Sequence, residues 1–453
     1  MVLIPGISTL VALVALLHLL FSRRPAQSLI IWMLAILLLP LAGPLLYLLF
    51  GSRKVFARRA KPMLSYAERQ GVCEVHPLQA QVQRVLLANG VPPASDGHRI
   101  ESSFDPGQAR LWLLQAVDAA QESILLESYI FELDETGREL LERLTHKARD
   151  GVRVCLLLDM VGSWNAWLRS SCFRALEQAG GRVVFFQPPS SLLRSRFNLR
   201  NHRKIYLFDQ RELLSGGINL AGEYLNPARR DHWVDLTFRS QGPMVDQYLE
   251  TFLQDWFYAT DEMLRLPCRS RIHTDGELAQ AVPSGPDTPD DNVRESLLLA
   301  CHRAERTIEL VTPYFIPDHA LLEALLTACK RGVRVRLLTP AQTDHWVSSQ
   351  ARLPNMRELY EAGADIRLYT PTMLHAKLVM IDGGFVLMGS ANLDYRSLLI
   401  NYEMVSFCYG AGLCRRLQGQ LEPLYAHSVP WRPGGGRLQR VGENVFRVLT
   451  PIL

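Results

Sequence analysis

The sequence lacks the cysteine patterns that bind metal ions or form a disulfide framework. Its eight cysteines include no C-x-x-C pair, and none stands beside a histidine at the spacing of zinc ligands. We therefore expect free, mostly buried thiols in a reducing compartment, and neither a zinc site nor a set of disulfides.

A strong excess of charge is also absent. The net charge of the 453 residues is only +4, so the total charge by itself indicates no particular class of partner. Apolar residues make up 48% of the chain, which is enough for a large core. The length suffices for two domains of ordinary size and a membrane segment.

The N-terminal part lacks charged side chains over two long stretches. Residues 3–21 and 29–50 contain no Asp, Glu, Lys or Arg, and at ~1.5 Å per residue each is about as long as a bilayer's hydrocarbon core is thick. A cleaved signal peptide is disfavoured because no basic residue precedes the first stretch. We therefore predict a two-helix transmembrane hairpin over residues 1–52.

Basic residues outside the two stretches predict the orientation of this hairpin. Arg23 and Arg24 lie in the loop between them, and a larger group follows the second stretch: Arg53, Lys54, Arg58, Arg59 and Lys61. Cytoplasmic flanks are the more basic ones. We therefore expect both ends of the hairpin, and the chain that follows, in the cytoplasm. Residues 53–104 would form a juxtamembrane connector.

The rest of the chain contains one α/β pattern twice. An apolar run, a helical pattern and a Gly-Val-Arg-Val turn into a second apolar run extend from Ser123 to Asp159 and again from Thr307 to Pro340. Such a βαβ unit implies parallel strands. We predict two homologous α/β halves, residues 105–260 and 292–415.

Two further segments complete the predicted domain organisation. A linker covers residues 261–291, and the stretch 281–292 at its end is rich in Pro, Gly and Asp, as an exposed connection should be. Residues 416–453 form a C-terminal tail.

Each predicted half carries the same group of polar residues. The group of the first half, His202, Lys204, Asp209, Gly217 and Asn219, is matched at identical spacing by His375, Lys377, Asp382, Ser390 and Asn392. A histidine and a lysine two residues apart on a strand point to the same face. Two such faces brought together would form one pocket that supplies a nucleophile, a proton donor and positive charge, as cleavage of a phosphodiester requires.

The doubled H-x-K-x4-D motif, with the following G-[GS]-x-N, resembles the phospholipase D superfamily. Five segments are similar to the bacterial cardiolipin synthases of the phospholipase D type: NLRNHRKI (198–205), GGINLAGEY (216–224), TPYFIPD (312–318), LHAKLVMID (374–382) and GSANLDYRS (389–397). The resemblance implies two phospholipase D-type halves with mixed or parallel sheets flanked by helices. It also implies transfer of a phosphatidyl group between two phosphatidylglycerol molecules, with release of glycerol and without a metal or other cofactor.

The catalytic motif residues under this interpretation are His202, Lys204, Asp209, His375, Lys377 and Asp382. One histidine attacks phosphorus and forms a phosphatidyl-histidine, and the other transfers protons; we assign the attack to His202. Lys204 and Lys377 should hold the phosphoryl oxygens. We expect Asp209 and Asp382 to be structural, because each lies beyond a predicted turn.

Other residues should complete the site. We predict that Asn219, Asn392 and Ser390 bind the phosphate. A nucleophilic histidine also needs an acceptor for its other ring nitrogen. By resemblance Glu403 orients His375, and by weaker analogy Asp235 orients His202.

The basic run near the first motif is open to two interpretations. Arg194, Arg196, Arg200 and Arg203 alternate with apolar side chains. The run is either a solvated helix face or an interfacial segment that gathers anionic lipid beside the active site.

The expected location is the bacterial inner membrane, with a multi-pass anchor and the catalytic part on the cytoplasmic side. The expected partners are phosphatidylglycerol and anionic lipids, with no nucleic acid; a homo-oligomer is compatible with the sequence. The main alternative is a hydrolase of the same superfamily that acts on phospholipid or nucleic acid. A catalytically silent scaffold is disfavoured because both motifs are intact. The acceptor lipid stays open between phosphatidylglycerol, phosphatidylethanolamine and another alcohol.

Overall fold

The structure is a computed structural model that describes residues 3–21, 26–39, 41–51, 54, 77–187, 198–434, 436 and 443. Of the predicted basic flank after the hairpin, only Lys54 falls within these ranges. Arg194, Arg196 and residues 435, 437–442 and 444–453 of the C-terminal tail also lie outside the described residues.

The secondary structure is as follows. The α-helices are α1 Leu3–Phe21, α2 Ala26–Leu38, α3 Ala42–Phe50, α4 Pro77–Ala88, α5 Pro106–Ala119, α6 Glu135–Arg149, α7 Trp164–Leu168, α8 Arg174–Gln178, α9 Gly222–Leu225, α10 Met244–Thr260, α11 Asn292–Arg303, α12 His319–Lys330, α13 Trp346–Ala351, α14 Leu353–Glu361, α15 Tyr395–Leu399 and α16 Ala411–Ala426, with a 3₁₀-helix at Ser170–Phe173. The strands are β1 Ser95–Ser103, β2 Ser123–Ser128, β3 Arg153–Asp159, β4 Arg182–Phe186, β5 Ile205–Phe208, β6 Glu212–Gly216, β7 Thr237–Gln241, β8 Glu277–Ser284, β9 Thr307–Val311, β10 Phe315–Ile316, β11 Arg334–Pro340, β12 Asp365–Tyr369, β13 Leu378–Ile381, β14 Phe385–Gly389, β15 Leu393–Asp394, β16 Glu403–Tyr409 and β17 Ser428–Pro430.

Both predicted βαβ units are present. Strand β2, helix α6 and strand β3 form the first, and β2 pairs with β3 in parallel. Strand β9, helix α12 and strand β11 form the second, and this pair is also parallel. Aspartates begin both helices, because Asp134 accepts a hydrogen bond from the backbone of Gly137 at 2.9 Å and Asp318 from that of Ala320 at 3.1 Å. The predicted α/β halves with a mixed sheet are therefore confirmed.

The two halves share one continuous sheet. Within the described residues it has 15 strands in the order β17-β12-β11-β9-β13-β14-β16-β8-β1-β7-β6-β5-β2-β3-β4. Read outward from the central pair β8 and β1, the two halves repeat the same strand order, and β17 adds an extra edge strand to the second. The central pair is antiparallel, with an irregularity in its register between Ser95 and His98. Equivalent positions of the two halves therefore face each other across the middle of the molecule.

The central strands correct the prediction of an exposed linker. Strand β8 lies within the segment predicted as linker, and its residues Ala279 and Val282 are fully buried. It pairs with β16 from Leu278 to Ser284. The Pro- and Gly-rich composition that suggested exposure belongs to the turn that follows this strand. Strand β1 likewise brings part of the predicted connector into the sheet.

The N-terminal segment forms α1, α2 and α3, which pack on each other around Leu19, Ile36 and Tyr47. In the part of the chain that the structure describes, no helix is long and apolar enough to cross a membrane. The transmembrane hairpin therefore stays a prediction. After α3, the Lys54 ammonium lies 3.0 Å from the carbonyl oxygen of Gly285 and 2.8 Å from the Asp291 carboxylate, so this residue contacts the turn after β8.

The cysteines agree with the prediction of free, mostly buried thiols. Cys155, Cys172, Cys301, Cys329, Cys408 and Cys414 are free thiols; Cys155, Cys301, Cys408 and Cys414 are buried, and Cys268 is exposed.

Candidate active site

The two H-x-K segments are extended stretches that lead into β5 and β13. Each is hydrogen-bonded to a segment of the other half. The backbone N–H of His202 donates to the carbonyl oxygen of Tyr402 at 2.9 Å, and the N–H of His375 donates to that of Val234 at 2.7 Å. The backbone of each motif is therefore held by the residue that precedes a carboxylate of the opposite half.

The carboxylates continue this crossed arrangement. Nδ1 of His202 lies 3.0 Å from both carboxylate oxygens of Glu403, and Nδ1 of His375 lies 2.7 Å from Oδ2 of Asp235. Both acids contact a histidine, but the predicted pairing, Glu403 with His375 and Asp235 with His202, is wrong. The physical reason is that the interface between the halves, and not proximity along the chain, brings each acid to its ring.

Both histidines line one cavity of about 620 Å³. Nδ1 of each ring is already engaged by a carboxylate, which leaves Nε2 of His202 for a bound molecule, whereas Nε2 of His375 lies 3.1 Å from the Lys377 ammonium. The common pocket predicted from the doubled motif is therefore present. Asn219 and Asn392 also line this cavity.

The two lysines lie behind the histidines. Within the described residues the cavity lining includes neither Lys204 nor Lys377, and both are almost fully buried. The Lys204 ammonium donates to the carbonyl oxygen of His202 at 2.8 Å. The Lys377 ammonium donates to the carbonyl oxygen of His375 and lies 2.6 Å from Nδ1 of its ring. The lysines thus place positive charge beneath the rings.

Burial is the main cause of the pKa shifts of the two histidines and the two lysines. Desolvation lowers the pKa of both histidines, and for His375 the neighbouring Lys377 and Lys204 lower it further, to well below the usual range. Burial also lowers the pKa of Lys204 to about 7 and that of Lys377 to about 8. An entering phosphate anion would favour the charged form of the two lysines.

The two orienting acids differ in their tendency to ionise. Burial raises the pKa of Asp235 to about 6, although Lys377 and the backbone N–H of Leu236 act in the opposite direction. Burial also opposes ionisation of Glu403, but contacts with His202, Lys204 and Ser390 outweigh it, and the pKa of Glu403 falls below its usual value. Glu403 is therefore the more firmly ionised of the two.

Ser390 explains part of this difference and corrects a prediction. Its hydroxyl donates to Glu403 Oε2 at 2.5 Å and accepts from the backbone N–H of Met404 at 2.9 Å. The residue is fully buried and faces the acid instead of the cavity. The predicted direct contact between Ser390 and phosphate is therefore wrong, because its donor is already used by Glu403.

The glycine at position 217, which is equivalent to Ser390, is explained by the close approach of Asp235. A Cβ at this position would lie 2.1 Å from Oδ1 of Asp235. The shorter aspartate reaches its histidine only by occupying the space of a side chain at residue 217. Each acid is thus matched to the residue beside it. Glutamate is accompanied by serine at one histidine, and aspartate is accompanied by glycine at the other.

The motif asparagines face the cavity from equivalent positions. Oδ1 of Asn219 accepts from the backbone N–H of Ile130 at 3.2 Å, which directs its amide NH₂ elsewhere. Oδ1 of Asn392 is buried and has no hydrogen-bond partner among the described residues. Both amides can therefore offer polar atoms to a ligand.

The motif aspartates lie at the ends of β5 and β13 that are farther from the histidines. Both adopt positive φ, 51° at Asp209 and 52° at Asp382, in the turns after β5 and β13. The Asp209 carboxylate accepts from the backbone N–H groups of Gln121, Glu122 and Ser123 at 2.7–2.9 Å, and that of Asp382 from those of Glu305, Arg306 and Thr307 at 2.7–2.8 Å. Their place among the catalytic residues is therefore corrected: they hold the starts of β2 and β9, as their position beyond a turn indicated.

Aromatic rings that the sequence did not single out as site residues enclose His375. The ring centroids of Trp233 and Tyr224 lie 5.0 Å and 5.3 Å from that of the histidine. Trp233 stands two residues before Asp235, so the orienting acid could have pointed to it. Tyr129, which directly follows β2, lies 5.1 Å from the ring of His202 and forms part of the cavity wall.

Of the basic run the structure describes Arg200 and Arg203, and both are buried, so neither of these two lies on a solvated or interfacial surface. Arg203 forms ion pairs with Asp255 and with Asp287, the latter at 3.2 Å, and its Nε donates to the backbone carbonyl oxygen of Glu403 at 3.1 Å. Arg200 lines the cavity and lies 3.5 Å from Asp159. Arg203 therefore supports the active-site backbone, and Arg200 contributes to the cavity wall.

Within the described ranges, no three His, Cys, Asp or Glu side chains are placed to hold a metal ion. The chemistry available from the described residues is nucleophilic attack and proton transfer by two carboxylate-held imidazoles above two ammonium groups.

Comparisons with known proteins agree with this geometry. The family described as "Cardiolipin synthase, PLD-like domain" matches residues 113–256 and 297–425, and "Phospholipase_D-nuclease N-terminal" matches residues 10–52. The chain is 31% identical to cardiolipin synthase 1 of Bacillus cereus over 95% of this chain and 90% of that protein. It is also 31% identical to cardiolipin synthase A of Pseudomonas entomophila over 99% and 97% of the two chains. The crystal structure of phosphatidylserine synthase from Haemophilus influenzae Rd KW20 shares the fold, with a TM-score of 0.64 and 14% identity over 83% of this chain and all of that one.

Proposed function

Because the chain belongs to the cardiolipin synthase family with phospholipase D-like domains, we propose that it transfers a phosphatidyl group from one phosphatidylglycerol to another, forming cardiolipin and releasing glycerol. The observation that carries the proposal is the cavity that two histidines from different halves line together, each held at Nδ1 by an acid of the opposite half.

The first step forms a covalent intermediate. Nε2 of His202 attacks phosphorus, the bond from phosphorus to the glycerol oxygen breaks, and His375 gives its proton to that oxygen. We assign the attack to His202 because the ionised Glu403 at Nδ1 stabilises the positive ring that phosphorylation creates. Asp235 holds its charge less firmly, so a protonated His375 releases its proton more readily.

The second step reverses the first with a different alcohol. His375 takes the proton of the acceptor's hydroxyl, the new oxygen–phosphorus bond forms, and the phosphorus–nitrogen bond to His202 breaks. The phosphoryl oxygens lie near Asn219 and Asn392, with Lys204 and Lys377 adding positive charge from beneath. One phosphodiester replaces another, so no nucleotide is needed. Water is the competitor that the site must exclude.

A membrane location suits this chemistry, because both substrates are lipids. We propose that the apolar stretches 3–21 and 29–50 anchor the enzyme in the bacterial inner membrane with the catalytic halves in the cytoplasm. The absence of charged residues from both stretches and the family match at residues 10–52 support this. Protease treatment of intact and of opened spheroplasts tests it: digestion of the catalytic halves in intact spheroplasts would contradict the proposed topology.

Identification of the product tests the reaction. The purified protein is incubated with liposomes of phosphatidylglycerol, and the His202→Ala/His375→Ala double variant reports contaminating activity. We expect cardiolipin and an equimolar amount of glycerol from the wild type, and neither from the variant. Phosphatidic acid as the main product would identify a hydrolase and refute the synthase proposal.

A further inference from the structure

Arg396 is a cation in the cavity wall whose partners are neutral. It lies on α15, lines the cavity, and donates to Oδ1 and to the carbonyl oxygen of Asn198, both at 2.8 Å, and to Oδ1 of Asn401 at 3.3 Å. Among the described residues no carboxylate lies within ion-pairing distance of it. Its neighbour Arg200, by contrast, pairs with Asp159.

The surroundings make this charge costly without an anion. Burial lowers the pKa of Arg396, and the nearby Arg200 lowers it further, whereas Tyr129, Asp394 and Asp159 act in the opposite direction. A charged group removed from water is unfavourable unless an opposite charge or strong hydrogen bonds compensate it. Amide oxygens supply only part of that compensation, so a ligand anion at this wall would be favoured.

The fold holds this arginine in place. Asp394 caps α15, accepting a hydrogen bond from the backbone N–H of Ser397 at 2.7 Å. The side-chain amide of Asn198, from the other half, and that of Asn401, from the same half, hold the guanidinium. The cation is thus presented in one orientation, as a binding site for a planar or tetrahedral oxyanion requires.

Comparison of the two homologous halves shows that only the second half has an arginine at this position. Arg396 stands four residues after Asn392, and Glu223 stands four residues after Asn219, at the equivalent position of the first half. Glu223 lies among Glu132, Asp134 and Asp344, which help to raise its pKa, although burial is the larger cause. Arg396 lines the cavity beside Asp394, and Glu223 is absent from the described lining, so only the second half places a cation at this position of the wall.

The transfer reaction provides a reason for such asymmetry. The donor's phosphate lies at the two histidines, and release of glycerol requires no other anion site. An acceptor phosphatidylglycerol carries its own phosphodiester, separated from the attacking hydroxyl by the three-carbon glycerol bridge. While the acceptor reacts, two phosphates are therefore present in the site.

We propose that Arg396 binds the phosphodiester of the acceptor lipid and so selects an anionic acceptor. The proposal rests on the proposed function and adds the residue that distinguishes phosphatidylglycerol from a neutral alcohol as acceptor. Its chemistry is unchanged: the acceptor's hydroxyl loses its proton to His375 and displaces His202 from phosphorus, while Arg396 holds the acceptor's second anionic group.

The test compares two acceptors in the Arg396→Gln variant. Liposomes containing phosphatidylglycerol are supplied with radiolabelled free glycerol. Incorporation of label into phosphatidylglycerol measures transfer to a neutral acceptor, and cardiolipin measures transfer to an anionic one. We expect cardiolipin formation to fall about 10- to 100-fold through a higher KM for phosphatidylglycerol. Glycerol exchange should stay close to that of the wild type.

Two control variants sharpen the test. Arg396→Lys keeps the charge and should recover part of the cardiolipin formation. Arg331→Gln removes an arginine that also donates to neutral carbonyl oxygens, those of Cys301 and Ala304, but that lies outside the cavity lining, and both reactions should be unchanged.

The outcomes separate the two proposals. If Arg396→Gln lowers exchange and cardiolipin formation equally, or lowers neither, the acceptor site is refuted while the synthase function stands. If the wild type performs neither reaction, the proposed function itself fails.

Discussion

The two histidine–carboxylate pairs occupy equivalent positions in the two halves but differ in the acid and in the residue beside it. His202 is held by Glu403, which is firmly ionised and receives a hydrogen bond from Ser390. His375 is held by Asp235, whose pKa is raised to about 6, and the residue equivalent to the serine is a glycine. The comparison shows that a duplicated site can keep both histidines while the acids that hold them diverge. This divergence allows each histidine a separate role in catalysis.

The largest expected effect comes from removing one ring at a time. His202→Ala and His375→Ala should each lower cardiolipin formation at least about 10³-fold. With the p-nitrophenyl ester of phosphatidic acid, whose leaving group needs no proton, His375→Ala should still release one equivalent of nitrophenol. His202→Ala should release none, because it lacks the nucleophile.

The control for this pair is His302→Ala, at an exposed histidine, which should keep full activity. A burst from His202→Ala and none from His375→Ala would reverse the assigned roles of the two halves.

Gly217→Ala tests the packing that separates the halves. The new methyl group would meet the Asp235 carboxylate, so the acid must move away from His375, and we expect activity to fall about 100-fold. The matched control is Gly419→Ala in α16, where a Cβ meets nothing within 4 Å; it should raise the melting temperature slightly and leave activity unchanged. Wild-type activity in Gly217→Ala would show that Asp235 need not hold its position.

Neutral amides in place of the acids compare the two pairs directly. Glu403→Gln removes an ionised carboxylate and should lower kcat about 100-fold, whereas Asp235→Asn removes a weaker charge and should lower it about 10-fold. Steady-state kinetics with phosphatidylglycerol liposomes provide the measurement. Equal losses would mean that the difference in ionisation has no catalytic consequence.

In the pH dependence of kcat/KM, the acid limb should reflect the titration of Asp235 and the alkaline limb that of the two lysines. As the pH falls through about 6, Asp235 gains a proton and can no longer accept the hydrogen bond of His375 Nδ1–H, so activity falls. As the pH rises through about 7 and about 8, Lys204 and Lys377 lose their charge, and activity falls again. We expect a bell-shaped profile whose acid limb is absent or shifted to lower pH in Asp235→Asn; an unchanged acid limb would contradict the assignment.

Ser390→Ala should have the smallest effect, about 3- to 10-fold on kcat, because Glu403 loses one hydrogen bond but keeps its contact with His202. Ser428→Ala, at a serine whose hydroxyl bonds the carbonyl oxygen of Tyr425 far along the chain from the motifs, is the control. A loss as large as that of Glu403→Gln would mean that the serine itself takes part in phosphate binding.

Much of the fold was predictable because it depends on local pattern. The apolar runs at Ser123 and Thr307 formed strands, and the Gly-Val-Arg-Val turns led into parallel partners. The exposed linker was mispredicted because the composition of a turn was extended to the strand before it. A central strand such as β8 is recognised only when its partners on both sides are known.

The site was predictable to a similar extent. The histidines, lysines and asparagines follow from the repeated spacing, and so does the structural role of Asp209 and Asp382. Arg396 and Trp233 had no comparable signal, because each is defined by which wall of the cavity it lines. Ser390 was misassigned because the direction of a buried hydroxyl depends on the acid beside it.

The sequence alone determined that two imidazoles exist in matched settings, since a spacing of two residues along an extended chain sets the relation between His and Lys in each copy. Only the tertiary structure decided which acid serves which ring. Glu403 lies 201 residues from His202, and Asp235 lies 140 residues from His375. Such partners are chosen by the antiparallel junction of β1 with β8 and by the backbone hydrogen bonds across it. These are long-range contacts, and no short-range pattern in the chain encodes them.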